Sequence, residues 1–294
     1  MAIREQAKPK KGSTKPDIAT LGGLLLACGG ILGGLTLEGG KLTDIAQLTA
    51  LMIVLGGTIG AVMVTTPLKT LLRAGKCLGQ VFFEHSQSAI EIIEEIISYA
   101  TKARKNSIIS LESDLPNIGD PFLRKAISLS VDGTDLQELR KMMELDIALE
   151  HRSGEAMAKV YEAAGGYAPT IGIIGAVLGL IQVMKNLANI DEVGHGIAVA
   201  FVATVYGVGL ANIFLLPAAS KIKARIEHET ELKELKLEGV VAIVEGLNPK
   251  LIRVKLDAYR HEPAPEAKDA KAKPKEKPKE KKPAAAPAAA PAKS

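Results

Sequence analysis

Inside its apolar segments this sequence offers few side chains that can do chemistry, and no acid among them. One run holds Thr204, Tyr206 and Asn212; another ends near Gln182, Lys185 and Asn186, which can snorkel to an interface. His195 opens the last run and could respond to pH near neutrality, but alone at an interface it reads as structural. A proton carrier places an acid or a histidine within the membrane, so this chain relays no proton by itself. Either it moves nothing, or a partner brings the carboxylate. Pro169 and Pro217 are the other chemically distinctive positions. A proline inside a helix removes a donor and frees the carbonyl four residues earlier, here Gly165 and Ile213. In lipid an unpaired carbonyl is costly and sits against protein or a wet cavity. Two such prolines at matching depth on consecutive antiparallel helices predict a cavity or hinge. Enzyme chemistry is excluded by what is missing: no Walker loop, no His/Cys/carboxylate metal spacing, no nucleophile elbow and no intramembrane catalytic pair.

The elements that carry these residues follow from charge. Four stretches, 18–37, 45–68, 163–184 and 193–220, contain no Asp, Glu, Lys or Arg. Each is long enough to cross a hydrocarbon core of ~30 Å, which predicts an all-α integral membrane protein with four transmembrane helices. The first is too long for a signal h-region and has no small-residue cleavage site after it, so it stays as an anchor. Basic residues cluster before the first span (Arg4, Lys8, Lys10, Lys11, Lys15), after the second (Lys69, Arg73, Lys76) and after the fourth (Lys221, Lys223, Arg225). The short connections 38–44 and 185–192 carry acids beside one Lys each. The positive-inside rule then places both termini and the long middle loop in the cytoplasm.

The expected organisation is a basic N-terminus at 1–17, spans one and two within 18–68 and a cytoplasmic helical domain at 69–162. Spans three and four follow within 163–220, then a cytoplasmic C-terminal helical region at 221–261 and a disordered Lys/Pro/Ala-rich tail at 262–294. Residues 69–105 read as one long amphipathic helix continuing out of the second span. Asp120-Pro121 reads as an N-cap followed by Pro at the first helical position. Thr134 with Gln137 forms a capping box ahead of a further amphipathic helix. Gly246 and Pro249 stop the last helix. No strand pattern appears. Removing the tail balances the remaining charges, so the net +4 resides there and marks no nucleic-acid surface; lipid head groups are its alternative contact. Cys28 and Cys77 read as packing residues. Gly29/Gly33, Gly30/Gly34, Gly56/Gly60 and Gly175/Gly179 put small residues on one helix face, which predicts close helix–helix packing within and between subunits.

This arrangement resembles the MotA/TolQ/ExbB proton-channel family, and within it the A subunits of flagellar stators. The residues that carry the likeness are "LLLACGGILGGLTLEGGKL", "LMIVLGGTIGAVMVTTPL", "ARKNSIISLESDL", "YAPTIGIIGAVLGLIQVMKNL" and "GIAVAFVATVYGVGLANIFLLPAASKI", covering roughly 18–255. The resemblance implies a homopentamer around a single-span MotB-like partner with a membrane aspartate and a peptidoglycan-binding domain. Residue by residue it implies that Pro169 and Pro217 couple ion passage to movement and that Thr204 lies near the ion path. Arg104 and Glu112 match the charged pair that faces the rotor protein FliG; without the resemblance they read as a solvated face or an internal salt bridge. Sodium-driven members carry a threonine where this sequence has Ala176, which favours protons over sodium as the transported ion; no cofactor is implied. At 1.5 Å per residue, Ala176 lies about 10 Å from Pro169 and Thr204 about 20 Å from Pro217. With level prolines, both fall within about 5 Å of the centre of a ~30 Å core. The implied function is a stator subunit in the bacterial inner membrane that turns ion-motive force into torque. The alternatives are an ExbB/TolQ-type energiser, disfavoured because those relatives typically have three spans, and a membrane scaffold that transports nothing.

Overall fold

The computed structural model describes residues 15–84 and 88–260. The basic stretch 1–14 and the tail 262–294 lie outside the described residues. The fold is helical: α1 (Ile18–Leu37), α2 (Leu48–Thr65), α3 (Leu68–Phe82), α4 (Ala89–Asn106), α5 (Pro121–Val131), α6 (Leu136–Lys185), α7 (Ile190–Gly209), α8 (Leu216–Val244) and α9 (Pro249–Leu256). A π-helical turn, Leu210–Leu215, joins α7 to α8 without a break. Among the described residues four helical stretches are long and apolar enough to cross a membrane: α1, α2, α6 and the continuous Ile190–Val244 rod.

The two rods dominate. α6 has 50 residues, about 75 Å at 1.5 Å per residue. Its first half is amphipathic and its second half apolar on all sides, so the domain helix and the third span are one element. The Ile190–Val244 rod runs antiparallel to it. Boundaries drawn at the onset of charge, 162/163 and 220/221, therefore fall inside continuous helices.

Two further expectations are corrected. The single helix expected over 69–105 is two. α2 ends at Thr65 because Thr66 is extended (φ −127°, ψ 132°) ahead of Pro67, and the chain after α3 leaves the helix for a two-residue strand, Phe83–Glu84. That strand pairs antiparallel with Lys15–Pro16. The N-cap of α6 is Asp135, whose carboxylate accepts from the Gln137 amide at 3.0 Å. Thr134 lies one residue too early, because either oxygen-bearing side chain can cap and only one meets the amide. The expected cap of α5 is present, with Asp120 accepting from Leu123 N–H at 2.8 Å and Pro121 at the first position. Gly246 adopts φ +73° after α8 and Pro249 opens α9.

The water-side core is shared between segments far apart in sequence. Ile93 and Ile96 from α4, Leu111, Leu123 and Ile127, and Leu139 and Met143 from α6 pack with Leu235, Val241, Ile252 and Leu256 from beyond the fourth span. Parts of 89–147 and 232–259 thus share one core. Polar ties fix it: Lys236, 5% exposed, donates to Asp120, and Glu238 accepts from Arg140 at 2.5 Å and pairs with Lys255 at 2.6 Å. Burial alone would raise the Glu238 carboxyl; those two cations hold it below its ordinary value instead. A second cluster, with Ala74, Tyr161, Ala164 and Ala219, joins α3, α6 and α8 at the base of the spans. The Tyr161 hydroxyl donates there to the Ala74 carbonyl at 2.7 Å. Cys77 is buried in α3 with its Sγ 3.1 Å from Met157 Sδ, and both cysteines are free.

Candidate functional site

The α6–α7 hairpin is packed through glycine. A Cβ on Gly172 would stand 2.8 Å from the Ala203 carbonyl, one on Gly179 2.7 Å from the Gly196 carbonyl, and one on Gly207 2.5 Å from the Ala168 carbonyl. Gly175 lies against the Ala203 side chain. No other residue lets two backbones approach this closely. α2 covers one side, with Gly57 against Ile171 and Val54 packed near Ala203.

This register places the expected pathway residues. Gly175 meeting Ala203 brings Ala176 and Thr204 to the same level of the hairpin. Both are half-buried. The Thr204 hydroxyl donates to the Ala200 carbonyl at 3.2 Å, and Ala176 adds no polar group. Tyr206 serves structure: its hydroxyl donates to the Ile45 carbonyl and accepts from the Gln47 amide at 3.4 Å, tying the connection before α2 to α7. His195 is exposed near the start of α7.

The prolines are not level. Gly207 packs on Ala168, so Pro169 lies opposite residues just past Gly207, while the side chain of Leu216, beside Pro217, meets Gly165. Pro217 is therefore offset from Pro169 by roughly five to ten residues, or about 8–15 Å along the axes. The offset nearly equals the difference between the two spacings, about 10 and about 20 Å, and it is what brings Ala176 and Thr204 together.

The backbone at Pro217 also differs from expectation. Leu216 N–H reaches the Ala211 carbonyl, five residues back. In that register the donor missing at Pro217 would have served Asn212, not Ile213. The Asn212 side chain donates to the Val208 carbonyl, four residues back, at 2.9 Å. π turns inside helices recur at functional sites, and this one stands where a hinge was predicted. Pro169 is half-buried within an unbroken α6, whereas Pro217 is exposed.

Arg104 and Glu112 are brought to one corner and both are exposed. Arg104 ends α4, where a cation complements the helix dipole; Glu112 lies on the 3-10 segment Ile108–Asn117. Among the described residues neither forms an ion pair, so the internal salt bridge is not made. The corner itself is held by Lys102, which donates to Asp114 at 2.7 Å and to Ser113 at 3.1 Å. It turns on Ser107, at φ 70° and ψ 159°, a region that strains any residue with a Cβ.

Sequence reasoning missed Asp17. It caps α1, accepts from Thr20 N–H at 3.1 Å, and meets Lys221 at 2.5 Å and Arg225 at 3.1 Å. The Lys221 ammonium first, and the Thr20 amide with it, hold its carboxyl well below the ordinary range despite burial. Its partners are about two hundred residues away, and only the N-cap geometry before the first apolar run pointed to it.

These features define a class first: a multi-pass helical membrane protein whose third and fourth spans form a tight, acid-free hairpin. Residues 114–235 match the model of the MotA/TolQ/ExbB proton channel family, and residues 21–107 match that of the motility protein A N-terminal region. Motility protein A of Bacillus subtilis is 33% identical over 244 residues, covering 83% of this chain and 90% of that one. The C. jejuni MotAB structure superposes with a TM-score of 0.80 at 31% identity, covering 84% of this chain and 98% of that chain. The flagellar MotAB stator complex from Bacillus subtilis gives 0.78 at 34% identity, covering 83% and 96%. The chain belongs to the MotA/TolQ/ExbB proton channel family.

Proposed function

We propose that this chain is the A-type subunit of a flagellar stator, forming an ion channel with a MotB-like partner in the bacterial inner membrane. The observation that carries this reading is the α6–α7 hairpin: glycine-packed, with the Thr204 hydroxyl level with Ala176 and no carboxylate within 163–184 or 193–220. Such a hairpin is a wall around a charge it does not own. The single-span partner supplies an aspartate opposite Ala176 and Thr204 and is fixed to peptidoglycan. Protons are the ion, because Ala176 offers no oxygen that sodium would need. A charge crossing about 100 mV releases ~2.3 kcal/mol, several times RT, enough to bias a step at the Pro217 turn. Pro169 and Pro217 couple passage to that step, and Arg104 and Glu112 present the charges that meet FliG. Five copies surround the partner, both termini and the 69–162 domain face the cytoplasm, and the work is mechanical.

One variant and one measurement test it in a motile host. Pro169→Ala should lower swimming torque at least tenfold with stator assembly retained; normal torque would count against a coupling role. Rotation speed at fixed proton-motive force should be flat in external sodium, and a steep sodium dependence would overturn the choice of ion.

A further inference from the structure

We infer that Asp17 is a positioning residue that clamps the foot of α1 to α8 immediately beyond the Pro217 turn, so that the two elements move together. Asp17 is 7% exposed. One carboxylate oxygen accepts from Thr20 N–H; the other meets both Lys221 and Arg225. Its own N–H donates to the Phe82 carbonyl at 2.9 Å, at the end of α3, and the adjoining residues Lys15 and Pro16 pair with Phe83–Glu84. Lys221 and Arg225 stand four and eight residues past Pro217, on one face of the first turns after the proline.

The clamp matters because α1 has little else to hold it. None of its residues is buried, and among the described residues nothing lies within 4 Å of a Cβ built on any of its six glycines. A buried carboxylate shared by two cations at a helix N-terminus is satisfied from every side. Removing its charge takes from Lys221 and Arg225 the one carboxylate oxygen that both meet. Any turn or shift of α8 beyond Pro217 therefore pulls on Asp17, and load on α1 is felt by α8. The coupling between helices stands on the geometry alone; its effect on torque rests on the stator reading above.

Two measurements separate the two claims. Spin labels at Leu25 and Glu227, in full-length chain carrying Cys28→Ala and Cys77→Ala and co-assembled with excess unlabelled chain in nanodiscs, report the α1–α8 distance. The clamp predicts one narrow distribution that broadens at least twofold with Asp17→Asn and stays narrow with Asp17→Glu; no broadening with Asp17→Asn overturns it. If Asp17→Asn does not accumulate in membranes, the charge swap Asp17→Lys with Lys221→Asp decides: recovery supports the pairing, and failure of the swap to recover overturns it. In motile cells Asp17→Asn should lower speed per stator at least threefold at high load while the stator number at the motor is unchanged, with Asp17→Glu restoring speed. Unchanged speed with a broadened distribution would confine the clamp to structure, overturning only its role in torque. Absence of rotation with the wild-type chain would sink the stator reading and leave the distance result to stand.

Discussion

Ser107 is the residue at which local chemistry and backbone conflict most openly. At φ 70° and ψ 159° its Cβ costs on the order of 1–3 kcal/mol, and glycine would relieve it. Ser107→Gly should therefore stabilise the chain by about 1 kcal/mol, read as a raised thermal midpoint in detergent; a lowered midpoint would contradict the strain. The same turn sets how Arg104 and Glu112 are presented. Charge reversal of either should lower torque at least fivefold and leave ion flux unchanged, measured in tethered cells and by cytoplasmic pH. These two residues were singled out only because they sit in a run that resembles the family's. The strain between them was not, because serine carries no signature of positive φ. Asp17 was hidden for a different reason: its partners are supplied by folding, at a separation of 208 residues.

At the scale of elements, the glycine pattern divides into two sets that the sequence writes identically. Gly172, Gly179 and Gly207 face backbone at less than 3 Å from a would-be Cβ, whereas a Cβ on Gly29, Gly30, Gly33, Gly34, Gly56 or Gly60 would meet nothing within 4 Å among the described residues. Gly207→Ala should thus cost about 1–3 kcal/mol by overpacking and lower accumulation in the membrane. Gly34→Ala should leave the chain's own thermal midpoint within about 0.5 kcal/mol; equal losses would mean that the second set also packs within the chain. All four spans were legible as charge-free runs, since lipid forbids charge more strictly than water requires it. Helix joints were less so. The break after Phe82 comes where no proline or glycine marks it, and the continuity of α6 through residue 163 crosses a compositional border that has no backbone consequence. The offset of Pro169 and Pro217 depends on which glycines mesh, and period alone does not choose among them.

For the whole molecule, the central claim is that this family member walls a pathway whose charge is borne by another chain. Two rods continue from the apolar spans into the helical domain, so α8 runs from the Pro217 turn into the core containing Leu235 and Val241 without a loop. Arg104 and Glu112 sit on elements packed against that core. The most direct measurement is proton entry, followed by a cytoplasmic pH reporter under an imposed gradient, in cells making this chain alone, with its MotB-like partner, or with the partner's membrane aspartate changed to asparagine. Acidification should require both chains and the intact aspartate. Flux through this chain alone, or undiminished flux after the aspartate is lost, would contradict the account.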